Sequence, residues 1–215
     1  EIVSQFFLKR YNETWVSEAQ KTIEFIKKFK INPKVIIDIG SCWGEFSMIL
    51  AKEYNNSKVY SIEGSYQNFI VLNSNIALEI NNINNIKTYN YIISNLDGQK
   101  YINNKIGTTN EVFDNDFEQG KLKKTKSFTL KSFSEVNNII SIDYIKIDIE
   151  GHELNLIDDL LDLDIKFGQI EIIEINELHK NIKFLKLLTK KYILLDCDSL
   201  SKINFNYIEK YTSNK

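Results

Sequence analysis

Residues 34–44 read Lys34-Val35-Ile36-Ile37-Asp38-Ile39-Gly40-Ser41-Cys42-Trp43-Gly44. An apolar run that ends in an acid and two spaced glycines predicts a buried parallel strand feeding a tight turn. The turn opens a helix at Glu45-Phe46-Ser47. Glycine suits such a turn because the backbone bends sharply and must admit a ligand at contact distance. The helix N-terminus beyond it offers free N–H groups to a polar ligand. A site for a nucleotide-type cofactor is the first expectation.

Working outward, strands and helices alternate. Trp15, Val16, Ala19, Ile23 and Ile26 recur at helical spacing and predict an amphipathic helix over 13–29. Asn32-Pro33 ends it, since the residue before proline avoids helical geometry. Strands are read at 34–39, 58–64 and 86–93, with helices at 45–54 and around Phe69, Leu72, Ile76 and Ile80. The polar, glycine-containing stretch 103–124 is expected to be a mobile loop, where Asp114 and Asp116 are either acceptor contacts or a charged tip. Segments 127–130 and 139–142 lead into a fourth strand at 143–149, followed by a helix carrying Leu156, Ile157, Leu160 and Leu161. Strands at 169–175, 192–196 and 203–208, with a helix at 178–189, complete the pattern. It implies an α/β fold: one Rossmann-like, doubly wound domain over 1–215, mostly parallel, with helices on both faces.

Bulk properties narrow the function classes. A net charge of −2 and a pI near 5.8 imply no basic face, so no nucleic-acid partner is expected. The apolar runs are strand-sized, short of the roughly 20 residues that span a bilayer, so no membrane partner is expected either. Cys42 and Cys197 are far apart and in no metal-ligand spacing. They read as reduced thiols, and a cytoplasmic location is the expectation. The chain starts at Glu1 rather than Met, and residues 1–10 read as a lead-in to the helical segment within 1–30. A domain cut from a longer protein is expected.

Two cofactor classes use a strand, a glycine turn and a helix start. A dinucleotide site wants G-x-G-x-x-G with an acid about 20 residues on. Here Gly40 and Gly44 are spaced G-x-x-x-G, and Cys42 stands where the second glycine is needed, which counts against NAD. S-adenosylmethionine has a ribose to grip but no phosphate, and tolerates the leaner turn. Glu63 lies 25 residues beyond Asp38 at the end of strand two, placed to accept from both ribose hydroxyls. The candidate cofactor contacts are Asp38, Gly40, Ser41, Cys42, Trp43, Gly44, Glu63, Gly64, Ser94 and Asp148. Trp43 either stacks on the ligand or covers the sheet edge.

A second constellation runs Asp143-Tyr144-Ile145-Lys146-Ile147-Asp148-Ile149-Glu150-Gly151-His152-Glu153. In a strand, Lys146 and Asp148 share one side while Ile145 and Ile147 pack the other. Asp148 falls at the carboxyl end of the strand, where open α/β sheets place their ligands. Three acids, a lysine and one of two histidines lie within eight residues, among isoleucines. That clustering points to function rather than to a solvated strand end.

The turn Asp38-Ile39-Gly40 to Gly44, the acid Glu63, Thr129-Leu130-x-x-Phe133 and Lys146-Ile147-Asp148-Ile149-Glu150-Gly151-x-Glu153 together resemble the FkbM-type S-adenosylmethionine-dependent methyltransferases, over about residues 34–176. The resemblance implies a seven-stranded sheet with an antiparallel last strand. It also implies O-methylation of a hydroxyl, often on a sugar or natural product. By analogy the chain is expected to be fused to glycan-building domains. Family members usually carry a small residue and Asn after the first glycine, where this chain has Ser41-Cys42. They usually carry Pro after the strand-two acid, where it has Gly64.

Methyl transfer from a sulfonium needs an in-line acceptor and removal of its proton. His152 is the candidate base, and His179 reads as a surface residue. Asp148 either orients the acceptor hydroxyl or, with Glu174 or Asn176, holds Mg²⁺ or Mn²⁺. Glu150 and Lys146 complete the catalytic candidates. With Pro33 the single proline, there is no Asn/Asp-Pro-Pro-aromatic loop of the kind that methylates nucleobase nitrogens. The remaining acceptor is a small molecule or glycan with a free hydroxyl. The rival readings are an NAD-dependent oxidoreductase and a non-catalytic cofactor-binding interaction module.

Overall fold

The structure is a computed structural model that describes residues 5–9, 15–78, 83–107, 110–116, 120–171, 178–196 and 200–205, with 5–9, 15–16 and 178–179 as backbone only. In chain order the elements are β1 (Gln5–Lys9), α1 (Trp15–Lys28), β2 (Val35–Ile39), α2 (Glu45–Glu53), β3 (Lys58–Ile62) and α3 (Tyr66–Leu78). There follow β4 (Ile86–Tyr89), β5 (Ile92–Ile93), β6 (Gly98–Ile102), β7 (Val112–Phe113), β8 (Lys123–Phe128) and α4 (Leu130–Val136). Then come β9 (Ile142–Ile147), a 3-10 turn (Glu153–Leu156), α5 (Ile157–Asp162), β10 (Ile165–Glu171), α6 (Leu178–Leu188) and β11 (Ile193–Asp196).

Seven strands pair in the order β11-β1-β10-β9-β2-β3-β4, and each pairing is parallel. Every residue of β9 is buried, as are Ile36, Ile37, Asp38 and Ile39 of β2. A parallel sheet covered on both sides demands this. On one face Ile37, Ile39, Ile145 and Ile147 pack against Leu130 and Phe133 of α4, Leu160 of α5 and Leu188 of α6. On the other, Ile36, Val59, Tyr144 and Phe167 meet Ala19 and Ile26 of α1 and Phe46 and Leu50 of α2. The doubly wound α/β arrangement follows from these two apolar faces.

Three expectations meet the structure differently. First, the antiparallel last strand is described only in part: among the described residues it is one antiparallel bridge, Leu195 to Lys202. A turn at Leu200 (φ +52°) folds the chain back, with Ile203 N donating to Leu194 O at 3.0 Å. Residues 206–208 of the expected strand lie outside the described residues. Second, the lead-in segment supplies β1, which sits between β10 and β11. Third, the expected strand 86–93 breaks after Tyr89. Asn90 Nδ2 donates to the carbonyls of Glu63 and Gly64 at 2.8 and 3.0 Å, and this turns the chain away from β3. It then enters a smaller sheet, β5-β8-β6-β7, so part of the expected loop 103–124 is strand.

The ends of β2 and β9 meet at the carboxyl edge. Asp148 N donates to Ile39 O at 3.0 Å. A Cβ on Gly40 would lie 1.7 Å from the Asp148 carbonyl oxygen, and Gly40 has φ +82°. Both space and backbone conformation therefore require glycine. We expect Gly40→Ala to cost at least about 3 kcal/mol of unfolding free energy in urea titrations. A loss under about 1 kcal/mol would show that the seam relaxes freely.

Candidate active site

Cross-strand register aligns Ser61, Asp38, Lys146 and Gln169 in one row beneath α1 and α2. Lys146 is 3% exposed. Its Nζ donates to Asp148 Oδ2 at 2.7 Å and lies 5.4 Å from the centre of the Phe46 ring. Burial alone would push the ammonium down, but Asp148, Glu18 and Asp38 hold it above the usual lysine range. Burial pushes Asp38 up, with Lys146 and Ser47 opposing. Asp38 Oδ2 accepts from Ser47 Oγ at 2.6 Å, whereas Oδ1 has no partner among the described residues.

Helix α1 contributes two buried polar side chains to this row. Gln169 Nε2 donates to Glu18 Oε1, and Gln169 Oε1 accepts from Thr22 Oγ1 at 3.1 Å and Tyr144 OH at 3.2 Å. Sequence reasoning missed Glu18, Thr22 and Gln169. The available signal was an acid and a threonine, spaced i, i+4, within the apolar stripe of an amphipathic helix.

The glycine turn is closed by its own residues. Ser41 Oγ donates to Asp38 O at 2.8 Å, so this side chain faces into the turn rather than toward a ligand. Glu63 accepts from Cys42 N at 2.9 Å and from Ser65 N at 2.7 Å. Burial nevertheless pushes its carboxyl up to about 7. Burial, reinforced by Glu63, raises the Cys42 thiol to about 12, so it is no nucleophile. The Trp43 indole donates to Asn68 Oδ1 at 3.2 Å, which directs it toward α3. A Cβ at Gly64 would lie 2.9 Å from Ile92 Cγ1 and 3.1 Å from Ile102 Cδ1. The smaller sheet leans on this spot.

Asn68, also missed, brackets the expected loop. Its Oδ1 accepts from Gly107 N at 3.0 Å and its Nδ2 donates to Gly107 O at 2.8 Å. Asn110 ties Lys105 and Gly107 from the other side. The described part of the loop is thereby strapped beside the glycine turn.

Beyond β9, Glu150 (φ +54°) and Gly151 (φ +92°) reverse the chain. Glu153 Oε1 accepts from Ile149 N at 3.0 Å and Gly151 N at 3.3 Å and so builds the reversal, though burial pushes its carboxyl up to about 7. The reversal brings His152 to Ser94, with Nε2 and Oγ 2.9 Å apart. Asn155 Nδ2 lies 2.9 Å from His152 Nδ1. With that amide donating, the ring proton sits on Nε2 and the lone pair on Nδ1. Burial, followed by the charge of Lys100, lowers the His152 imidazole to about 4, with Asp114 opposing. The His179 side chain lies outside the described residues.

Of the expected metal ligands only Asp148 is described, and its Oδ2 accepts from the Lys146 ammonium at 2.7 Å. Glu174, Asn176 and Cys197 lie outside the described residues. Among the described residues no three of His, Cys, Asp or Glu are grouped to hold a metal, and no helix is long and apolar enough to cross a membrane.

With this geometry in place, the methyltransferase FkbM domain family matches residues 36–206. The chain belongs to that family. The FkbM domain is also 39% identical over 67 residues to ribosomal protein L11 methyltransferase of Prochlorococcus marinus (strain MIT 9515), covering 31% of this chain and 22% of that protein. Similar solved structures include methyltransferase FkbM from Methylobacillus flagellatus KT, at 15% identity and TM-score 0.41, covering 77% of this chain and 32% of that one. Another is precorrin-6y C5,15-methyltransferase from Geobacter metallireducens GS-15, at 12% identity and TM-score 0.45, covering 77% and 67%. The chain thus spans well under half the length of the first two relatives.

The chain's two histidines make the ring state of His152 directly readable by NMR. We expect it to stay neutral at neutral pH and to titrate near about 4 rather than 6.5. Its folded value lies below its unfolded one, so the stability it contributes is present above about 6.5 and is lost as pH falls through about 4. A midpoint near 6.5 would show that the ring is solvated.

Proposed function

We propose that this FkbM domain transfers a methyl group from S-adenosylmethionine to a hydroxyl of a sugar, a glycan or a similar polar small molecule. The observation that carries the reading is the pairing of the left-handed Gly40–Gly44 turn with the buried Glu63 carboxylate beside it. The residues suit the cofactor. The orphaned Asp38 Oδ1 leaves a buried acceptor for a cationic ligand, and the α2 N-terminus carries no side-chain cap. When bound, S-adenosylmethionine supplies a methyl group on a positively charged sulfur.

In this reading Glu63 grips both ribose hydroxyls, while Gly40 and Gly44 let the backbone approach the ligand. Cys42 contributes its peptide, and Gly64 its small size. Asp148, fixed by Lys146, orients the acceptor hydroxyl; Lys146 is a positioning residue because it is buried. Glu150 lines the acceptor side. His152 takes the hydroxyl proton at Nδ1, where the exposed Asn155 amide gives way to the acceptor. Ser94 holds the opposite edge of the ring. No step is routed through a metal. The domain is proposed to work as a single unit of a longer, glycan-modifying cytoplasmic protein.

A nicotinamide-dependent reading is disfavoured at Cys42. Its side chain stands between the two turn glycines, with Sγ 4.0 Å from Gly107 O, where a dinucleotide turn needs glycine. Thermal shift with S-adenosylhomocysteine, NAD⁺ and NADH separates the readings. Ligand at about 100 times its Kd stabilises by roughly 2.7 kcal/mol, raising Tm by about 5–10 °C. We expect that rise with S-adenosylhomocysteine only. A rise with the nicotinamides only would overturn the proposal, and no rise with any ligand would favour the interaction module. Because the ribose hydroxyls donate to an ionised Glu63, S-adenosylhomocysteine binding should weaken as pH falls through about 7. Glu63→Gln should weaken it about tenfold or more in calorimetry.

A further inference from the structure

Lys100 is a buried cation that the proposed chemistry does not use. On β6 it alternates with the outward Gln99 and Tyr101 and shares the inner face with Ile102. That face packs on the cofactor edge, where its cross-strand neighbour Thr125 donates to Gly64 O at 3.4 Å. The Lys100 side chain is 9% exposed and pairs with Asp114, whose side chain is 77% exposed. A buried ammonium is costly without a partner. The partner is not buried alongside it. Here the anion reaches in from solvent after β7 and can be exchanged while Lys100 stays in place. Lys100 and Asp114 belong to the small sheet and its margin, and Ser94, at the end of β5 in that sheet, meets His152 Nε2 at 2.9 Å; the charges of both residues act on this imidazole.

We propose that Lys100 is an anion subsite for the methyl acceptor, and that Asp114 occupies it until the acceptor arrives. The acceptor is then a hydroxyl compound bearing a carboxylate or phosphate, as in a uronic acid or a sugar phosphate. Its anionic group displaces Asp114 and anchors on Lys100, and this sets its hydroxyl against His152. Without that cation, Asp148, Glu150 and Asp114 would repel such an acceptor. The inference rests on the reading of His152 as the residue facing the acceptor.

The test uses the whole chain, histidine-labelled and saturated with S-adenosylhomocysteine, titrated separately with glucuronate, glucose 6-phosphate and glucose. The His152 NMR signals should shift saturably with one or both anions and stay still with glucose. Whichever anion acts identifies the source of the charge. Lys100→Met should weaken that response about tenfold or more. Asp114→Asn, an exposed change, should strengthen it by about threefold. No anion response, an equal response to glucose, or undiminished binding by Lys100→Met would overturn the subsite. If Lys100→Met fails to fold, an unchanged affinity in Asp114→Asn overturns it instead. S-adenosylhomocysteine binding is read in the same samples. Bound ligand without an anion response refutes the subsite alone, whereas absent ligand binding refutes the methyltransferase reading beneath it.

Discussion

The carboxyl ends of β2 and β9 approach so closely that only a residue without a side chain fits between them. A Cβ at Gly40 would sit 1.7 Å from the Asp148 carbonyl oxygen. This contact joins the two motifs on which the site depends. It fixes the left-handed turn that leads into α2, and it places Asp148 beside that turn. Two residues back along the same strands, Asp38 and Lys146 stand in register, so the seam is both a steric and an electrostatic junction. Core isoleucines on either side hold the strands in place, and their burial makes the register strict.

Charge in the interior follows from that junction. One ammonium, Lys146, is shared electrostatically among Asp148, Glu18 and Asp38. Such a cluster costs desolvation and earns its retention by specificity rather than by stability. It holds Asp148 at the sheet edge through the 2.7 Å contact with Lys146. The smaller sheet adds the opposite wall. It leans on Gly64 and delivers Ser94 to His152. Two sheets of different origin thus meet over one turn.

Much of this was legible in the residues. The apolar runs at 34–39 and 143–149 marked the central strands, and both motifs lie at their carboxyl ends as the pattern required. What escaped notice did so for physical reasons. Gly98–Ile102 opens on Gly-Gln-Lys and Lys123–Phe128 carries three lysines, so these half-exposed strands lack the apolar alternation that marks a strand. The seven-residue α4 is held by its Thr129 cap, which accepts from Ser132 N at 3.0 Å, a local bond with little periodicity behind it. Lys100 is a polar residue buried by tertiary contacts, and sequence spacing alone marks it as surface. Ser41 and Cys42 lie in the turn as expected, but the Ser41 side chain serves the turn itself and that of Cys42 faces Gly107. The His152–Ser94 contact joins residues 58 apart in the chain through two loops, and no local pattern announces it.

The central claim is that the seam and Glu63 together form the cofactor site. A crystal structure of the chain with S-adenosylhomocysteine tests it most directly. The account predicts both ribose hydroxyls within hydrogen-bonding distance of the Glu63 carboxylate, and the sulfur above the junction of Gly40 and Asp148. Ligand bound elsewhere, with Glu63 still engaged only by Cys42 and Ser65, would contradict it.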